Sequence, residues 1–226
     1  MFSVLSVLPQ RGTAAPVPVG DVEVIAAWLG ELDLAVPWTP RYDAIELALL
    51  DAVFSIRTTY GAPTTGVRAW VTAYAEAADA RGDDLARLAE AGDVLAALAD
   101  EGRLTRQRVF TGQLKIDAAV AAAGALAALP DGPRTAADLR AAIDERYDEL
   151  LRAYTSVPGL GAATFEYFLM LCGAPGERAK GRWWSFACEA MQRGLEDEEA
   201  EYLLEAVARR LGLEPAQLLH AVWRAR

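Results

Sequence analysis

Apolar residues recur every three to four positions almost without a break from Tyr42 to the C-terminus, a period that fits helices and little else. Ile45, Leu49, Ala52, Val53 and Ile56 fall on one stripe, and Val67, Trp70, Val71 and Tyr74 on the next. Leu85, Leu88, Leu95 and Leu98 continue the pattern, and 112–129 reads as an alanine-rich helix stopped by Pro130-Asp131-Gly132-Pro133. Thr135 and Asp138 have capping-box spacing and open a helix over 135–154 striped by Leu139, Ile143, Tyr147, Leu150 and Leu151. Helices are predicted over 162–172 and 180–193. Two more follow, one carrying Leu203, Leu204, Val207 and Leu211, the other opening at Pro215 ahead of Leu218, Leu219, Val222 and Trp223. No strand pattern of any weight and no fixed repeat intervenes, so the expected fold class is all-α.

Residues 1–41 differ. Pro9, Pro16, Pro18, Pro37 and Pro40, with Gly12 and Gly20, predict an extended arm around one short helix near 22–32, placing the domain boundary before Tyr42. The 226-residue chain is 53% hydrophobic, which supplies enough apolar surface to offset ordering entropy and excludes disordered and collagen-like classes. Two cysteines, Cys172 and Cys188, and a single histidine, His220, argue against a disulfide framework and against a Cys/His zinc or iron–sulfur site. They also discount Ser/His/Asp or Cys/His catalysis. The apolar run at 4–8 is too short for a signal segment, and only the alanine-rich stretch approaches the roughly 18 charge-free residues that span a bilayer. A cytoplasmic location without membrane contact is expected.

The turn between the helices at 135–154 and 162–172 carries the strongest chemical signal. In Val157-Pro158-Gly159-Leu160-Gly161 two glycines allow a sharp reversal and a close approach of backbone to a partner. The following helix start presents amides and a favourable dipole to an anion such as a phosphate, with Thr164 able to add a hydroxyl. A purely structural helix-to-helix loop fits the same residues.

Val157-Pro158-Gly159-Leu160-Gly161-Ala162-Ala163-Thr164 resembles the hairpin of the helix-hairpin-helix (endonuclease III-like) DNA glycosylase superfamily. Ser55-Ile56-Arg57-Thr58-Thr59, at the end of an early helix, is similar to that family's Ser-x-Gln-x-Thr segment, with Arg57 at the glutamine position. Gly112-Gln113-Leu114-Lys115-Ile116 is similar to its Gly-x-x-Lys-Ala helix start. The match spans about residues 42 to 226. It implies a two-lobed helical fold whose hairpin grips duplex DNA. It further implies hydrolysis of an N-glycosidic bond to release a damaged or modified base, with the target nucleotide flipped out of the stack. Such a protein would act as a monomer on nucleoid DNA in base-excision repair. The resemblance also implies a K⁺ or Na⁺ held by the carbonyls of Thr155, Val157 and Leu160, and no other cofactor.

Both of the family's usual catalytic positions are changed. The lysine position, two residues after the second hairpin glycine, is Ala163, which disfavours lyase chemistry; the aspartate position falls on Lys180. Three readings follow. Glu166, one helical turn beyond Ala163, supplies the carboxylate; Lys180 is itself a nucleophile with a pKa lowered beside Arg178 and Arg182; or the protein binds DNA without cutting the bond. A helical interaction protein whose turn is merely structural is the remaining alternative.

Charge bears on all of them. Twenty-two Lys+Arg against 32 Asp+Glu give a net charge of −10, which repels nucleic acid if taken as a single number. Along the chain it divides. Arg103, Arg106, Arg108 and Lys115 form one basic stretch, and Arg178, Lys180, Arg182 and Arg193 another, while 83–101 and 196–201 are acidic and read as outer faces. The expected DNA-contacting set is therefore Val157, Gly159, Gly161, Ala162 and Thr164 of the turn, with Arg57, Arg106, Arg108, Lys115 and Arg182. Trp183 or Trp184, at most one of them, would act as a stacking platform.

Overall fold

The computed structural model describes residues 19–31, 42–58, 64–78 and 83–225. All five prolines of the expected arm, and Thr59, lie outside the described residues. The described part holds eleven helices, and its only strand-like pairing is a single bridge between Arg108 and Leu114, so the fold is all-α as expected.

Seven helices form one packed group: α2 (Ile45–Phe54), α3 (Gly66–Ala77), α4 (Leu85–Ala89), α5 (Gly92–Asp100), α6 (Lys115–Ala127), α7 (Ala136–Thr155) and α8 (Ala162–Leu171). The alanines of α6, with Ala118, Ala119, Ala122 and Ala123 fully buried, let it pack closely on α2 and α4. A second group gathers α1 (Val19–Glu31), α9 (Glu177–Met191), α10 (Asp197–Leu211) and α11 (Pro215–Ala225). The two meet where α8 crosses α9 and α11. The sequence pattern gives each helix one buried face, but α2 and α8 are buried nearly all round and form the centre. The short helix expected within residues 1–41 packs into the second group. Ile25 and Leu29 of α1 are fully buried against α9 and α10, where Trp28 meets Phe186 edge-on.

Capping follows local sequence in one place and tertiary contact in another. Thr135 and Asp138 make the expected capping box at α7, side chain and backbone bonding reciprocally. Asp83, by contrast, accepts from the Ile45 amide at 2.6 Å and from the Ala136 amide at 3.0 Å, so one carboxylate caps the starts of both α2 and α7. Next to it, Asp84 caps α4 and forms two 2.8 Å bonds with Arg134, which hold its carboxyl below the usual range. Glu46, fully buried on α2, takes a two-pronged bond from Arg87 of α4, both arms 2.7 Å long.

The seam between the groups is polar at its centre. Asp51 of α2 accepts hydrogen bonds from the Tyr42 hydroxyl at 2.9 Å and the Ser55 hydroxyl at 3.1 Å. Tyr167 of α8 lies 3.4 Å from the same carboxylate and 2.9 Å from Nε2 of His220 on α11. His220 is accordingly an interior residue. Burial, reinforced by the charge of Arg224, pulls its pKa down to about 4 and keeps the ring neutral. Trp223 stacks on Tyr167, and the Arg182 guanidinium sits 4.4 Å from the Trp223 ring.

Candidate nucleic-acid interface

The turn at 156–161 is built by short local bonds. The Ser156 amide closes on the Arg152 carbonyl at 3.0 Å, and the Leu160 amide donates to the Val157 carbonyl at 3.1 Å. Gly159 adopts φ +91°, a left-handed conformation costly for any other residue. Its missing side chain also matters for packing, since a Cβ there would lie 2.6 Å from Val109 Cγ2 and 2.9 Å from Thr111 Oγ1. The turn is thereby pressed onto a tight ribbon at 108–114. The ribbon is closed by the Val109 amide on the Gln113 carbonyl at 2.9 Å and joined to the turn by the Thr111 hydroxyl donating to the Pro158 carbonyl at 3.1 Å.

Not every expected turn group faces outward. The Thr164 hydroxyl accepts the Gly161 amide at 3.3 Å and donates to the Gly161 carbonyl at 3.1 Å, so both are spent closing the start of α8 rather than offered to a phosphate. Among the described residues the amides of Gly159, Ala162 and Ala163 meet no acceptor. Of the carbonyls expected to hold a monovalent cation, that of Val157 already accepts the Leu160 amide and keeps one lone pair.

Lys115 corrects the charge count. Expected on the basic surface, it is 1% exposed, and its ammonium donates to the Phe54 carbonyl at 2.9 Å, to Gln107 Oε1 at 2.8 Å and to the Thr58 hydroxyl. It reaches no phosphate. Instead it pins the end of α2, where the helix dipole favours a cation, to the residues leading into the ribbon. Burial lowers its pKa to about 8. Arg57 follows directly from α2 in a left-handed conformation with an exposed side chain, next to Thr58 in the same bonded group.

The rest of the first basic stretch is thinned by pairing. Arg103 bonds Glu76 at 2.8 Å, and Arg106 pairs with Asp100 and reaches the Ala99 carbonyl, so Arg106 is no longer an open contact. Arg108 caps its own ribbon at the Gly112 carbonyl and remains exposed without an ion pair among the described residues. Beside it stands a residue the sequence reading missed: Phe110, 83% exposed at the ribbon tip. The available signal was an aromatic residue enclosed by Arg106, Arg108 and Gly112.

The second basic stretch faces elsewhere. Lys180 pairs with Glu177 at 3.6 Å and, with Trp184, lines a groove whose other charged residues are Glu177, Asp197, Glu201 and Glu205. These carboxylates are unsuited to a DNA phosphate; Lys180, expected as a nucleophile, and Trp184, expected as a stacking platform, lie on this groove instead. Trp183 is core, its indole N–H donating to the Ala200 carbonyl at 2.7 Å. Arg182 is occupied by the face and carbonyl of Trp223, and Arg193 by Glu199 and Asp21.

Glu166 is not the solvated helix residue that its sequence position allows. It is 3% exposed. Oε1 accepts the Tyr147 hydroxyl, while Oε2 has no hydrogen-bond partner and lies beneath Gly176, where a Cβ would stand 2.1 Å away. Tyr147 follows a break in α7 at Arg146, whose side chain reaches back to the Pro130 and Asp131 carbonyls at 2.8 and 2.7 Å. Burial and the Glu166 carboxylate push the Tyr147 phenol up to about 12.

These observations define a class: an all-helical protein of two packed groups, with a glycine turn locked onto an aromatic-tipped ribbon. The chain belongs to the family described as Domain of unknown function (DUF8548), whose model matches residues 21–226 and so includes most of α1. No curated protein and no solved structure matches it. Among the described residues no helix is long and apolar enough to cross a membrane.

Proposed function

We propose that the protein binds duplex DNA through the face formed by the turn at 156–161, the ribbon at 108–114 and the end of α2, on a scaffold resembling the glycosylases. The observation that carries the reading is the locked turn. Gly159 presses it through Val109 and Thr111 onto the ribbon that also carries Arg108 and Phe110, and the amides of Ala162 and Ala163 at the start of α8 meet no acceptor among the described residues. Amides at a helix start hold a phosphate, Arg108 and Arg57 add charge, and Phe110 is suited to wedge against an unstacked base step. With few cations free of acidic partners, binding is modest and falls steeply with salt.

Fluorescence anisotropy with a labelled duplex of about 25 base pairs at low salt tests this. Arg108→Glu and Phe110→Ser, both at exposed positions, are expected to weaken binding by about tenfold while leaving the unfolding midpoint unchanged. A wild-type chain that fails to bind at low salt, or variants that bind as it does, would sink the reading.

A second reading is base excision by Glu166. The buried carboxylate oxygen without a partner favours it, because such a group gains by meeting a cationic, oxocarbenium-like sugar or an attacking water. In that hydrolysis the C–N bond breaks, water supplies hydroxide to the sugar carbon and a proton to the departing base, and the segment around Gly176 must open. Alkali-revealed strand breaks on duplexes with damaged or modified bases, lost in Glu166→Gln, would establish it. A borohydride-trapped adduct lost in Lys180→Ala would replace Glu166 with Lys180 as nucleophile. Salt-sensitive binding with no base release on any substrate leaves the noncatalytic binder.

A further inference from the structure

An open groove lies among α9, α10 and α11, lined by none of the turn residues, with a volume of about 760 Å³. Its floor is apolar, made by Leu204 and Leu219 with the ring of Trp184, which is 38% exposed and anchored by its indole N–H to the Leu195 carbonyl at 2.8 Å. Its rim is acidic. Glu177, Asp197, Glu201 and Glu205 stand around it, with Lys180 as the one cation among the described residues that line it, itself 3.6 Å from Glu177. The acidic run at 196–201, read from sequence as a solvated outer face, thus contributes one side of a recessed apolar surface.

We propose that this groove docks a basic amphipathic segment of a partner protein, its bulky apolar side chains on the floor and its Lys or Arg side chains against the rim. Charge complementarity selects this occupant. Nucleic acid and anionic lipid are repelled by the rim. A second copy of this chain is poorly matched, because the net charge is −10 and Arg87, Arg103, Arg106, Arg134, Arg193 and Arg210 are engaged by its own carboxylates. A small organic cation satisfies the rim but leaves the floor bare, whereas an amphipathic segment covers both. The proposal stands apart from the DNA reading, since it uses none of the turn residues.

The test is titration of the full chain with a Trp-free synthetic peptide of about 14 residues, leucines at helical spacing and lysines elsewhere, followed by intrinsic fluorescence and calorimetry. The expected result is one-to-one binding with a tryptophan signal that Trp184→Phe removes. Glu201→Lys with Glu205→Lys, exposed positions that the fold tolerates, should weaken it at least about tenfold, and Leu204→Ser should weaken it as well. Equal binding of a peptide with glutamate for lysine, or of one with serine for leucine, overturns the proposal. So does affinity unmoved by the double charge reversal. Sedimentation covers the other occupant: if the wild-type chain self-associates and the reversal disperses it, the groove is a self-interface and the proposal is wrong.

Discussion

The two helical groups are held together by different means. The group from α2 to α8 uses charge inside the protein: Glu46 bound to Arg87, Asp83 capping two helices at once, and Lys115 joining the end of α2 to the ribbon. The group of α1 and α9–α11 keeps its ion pairs on the surface, Arg193 with Asp21 and Glu199 and Arg210 with Glu23, and relies inside on Trp183, Phe186, Trp28 and Leu203. Buried pairs lose much when one partner is removed, because the other is left unsolvated; exposed pairs lose little, because water replaces the partner. The same contrast governs function. The first group sets backbone amides and an exposed phenylalanine beside Arg57 and Arg108 on its outer face, whereas in the second group carboxylates ring an apolar groove.

The sharpest break of this contrast is Arg87→Ala, which strands the fully buried Glu46 carboxylate and is expected to cost roughly 3 kcal/mol in urea denaturation. A loss under about 1 kcal/mol would mean that the pair behaves like a surface one. Gly159→Ala follows, at about 3 kcal/mol or somewhat less, from a strained φ and contact with Val109 and Thr111; it should also abolish duplex binding. If stability falls but DNA affinity does not, the locked turn is not the contact.

The seam offers a pH test. His220 has a pKa of about 4 when folded and an ordinary value of 6.5 when unfolded, so between these the unfolded chain binds a proton that the native one does not. Its stability contribution is intact above pH 6.5 and declines as pH falls toward 4, by roughly 3 kcal/mol. His220→Gln should flatten that part of the stability profile, and an unchanged slope would assign the loss to carboxylates. Asp83→Ala, removing two caps, is expected to cost about 1–2 kcal/mol by thermal melting. Smallest of all, Arg210→Ala should leave the denaturation midpoint unchanged; a measurable drop would show that the outer pairs do more than solvate a surface.

Much of the fold was legible locally. The stripes, the Pro130–Pro133 stop, the Thr135–Asp138 box and the first-turn Pro215 all mark helices found close to their predicted places, because periodicity and capping act within one or two turns of chain. The predicted helix at 180–193 proved longer, starting at Glu177 directly after the glycine N-cap. Asp83 could not be read as a cap, since its partners lie 38 and 53 residues away. The basic stretches misled for a similar reason. Counting Arg103, Arg106 and Lys115 as free charge ignores Asp100, just outside the stretch, and Glu76 and Phe54, which only folding brings near.

The sequence by itself determined an all-helical chain and a glycine turn with the backbone freedom to meet an anion, because helix period and glycine conformation are local properties. The tertiary structure alone decided which charges face water. It buried Lys115 and Glu166, turned Lys180 and Trp184 toward an acidic groove and left Phe110 exposed, because pairing and burial depend on distances in space that separation along the chain does not fix.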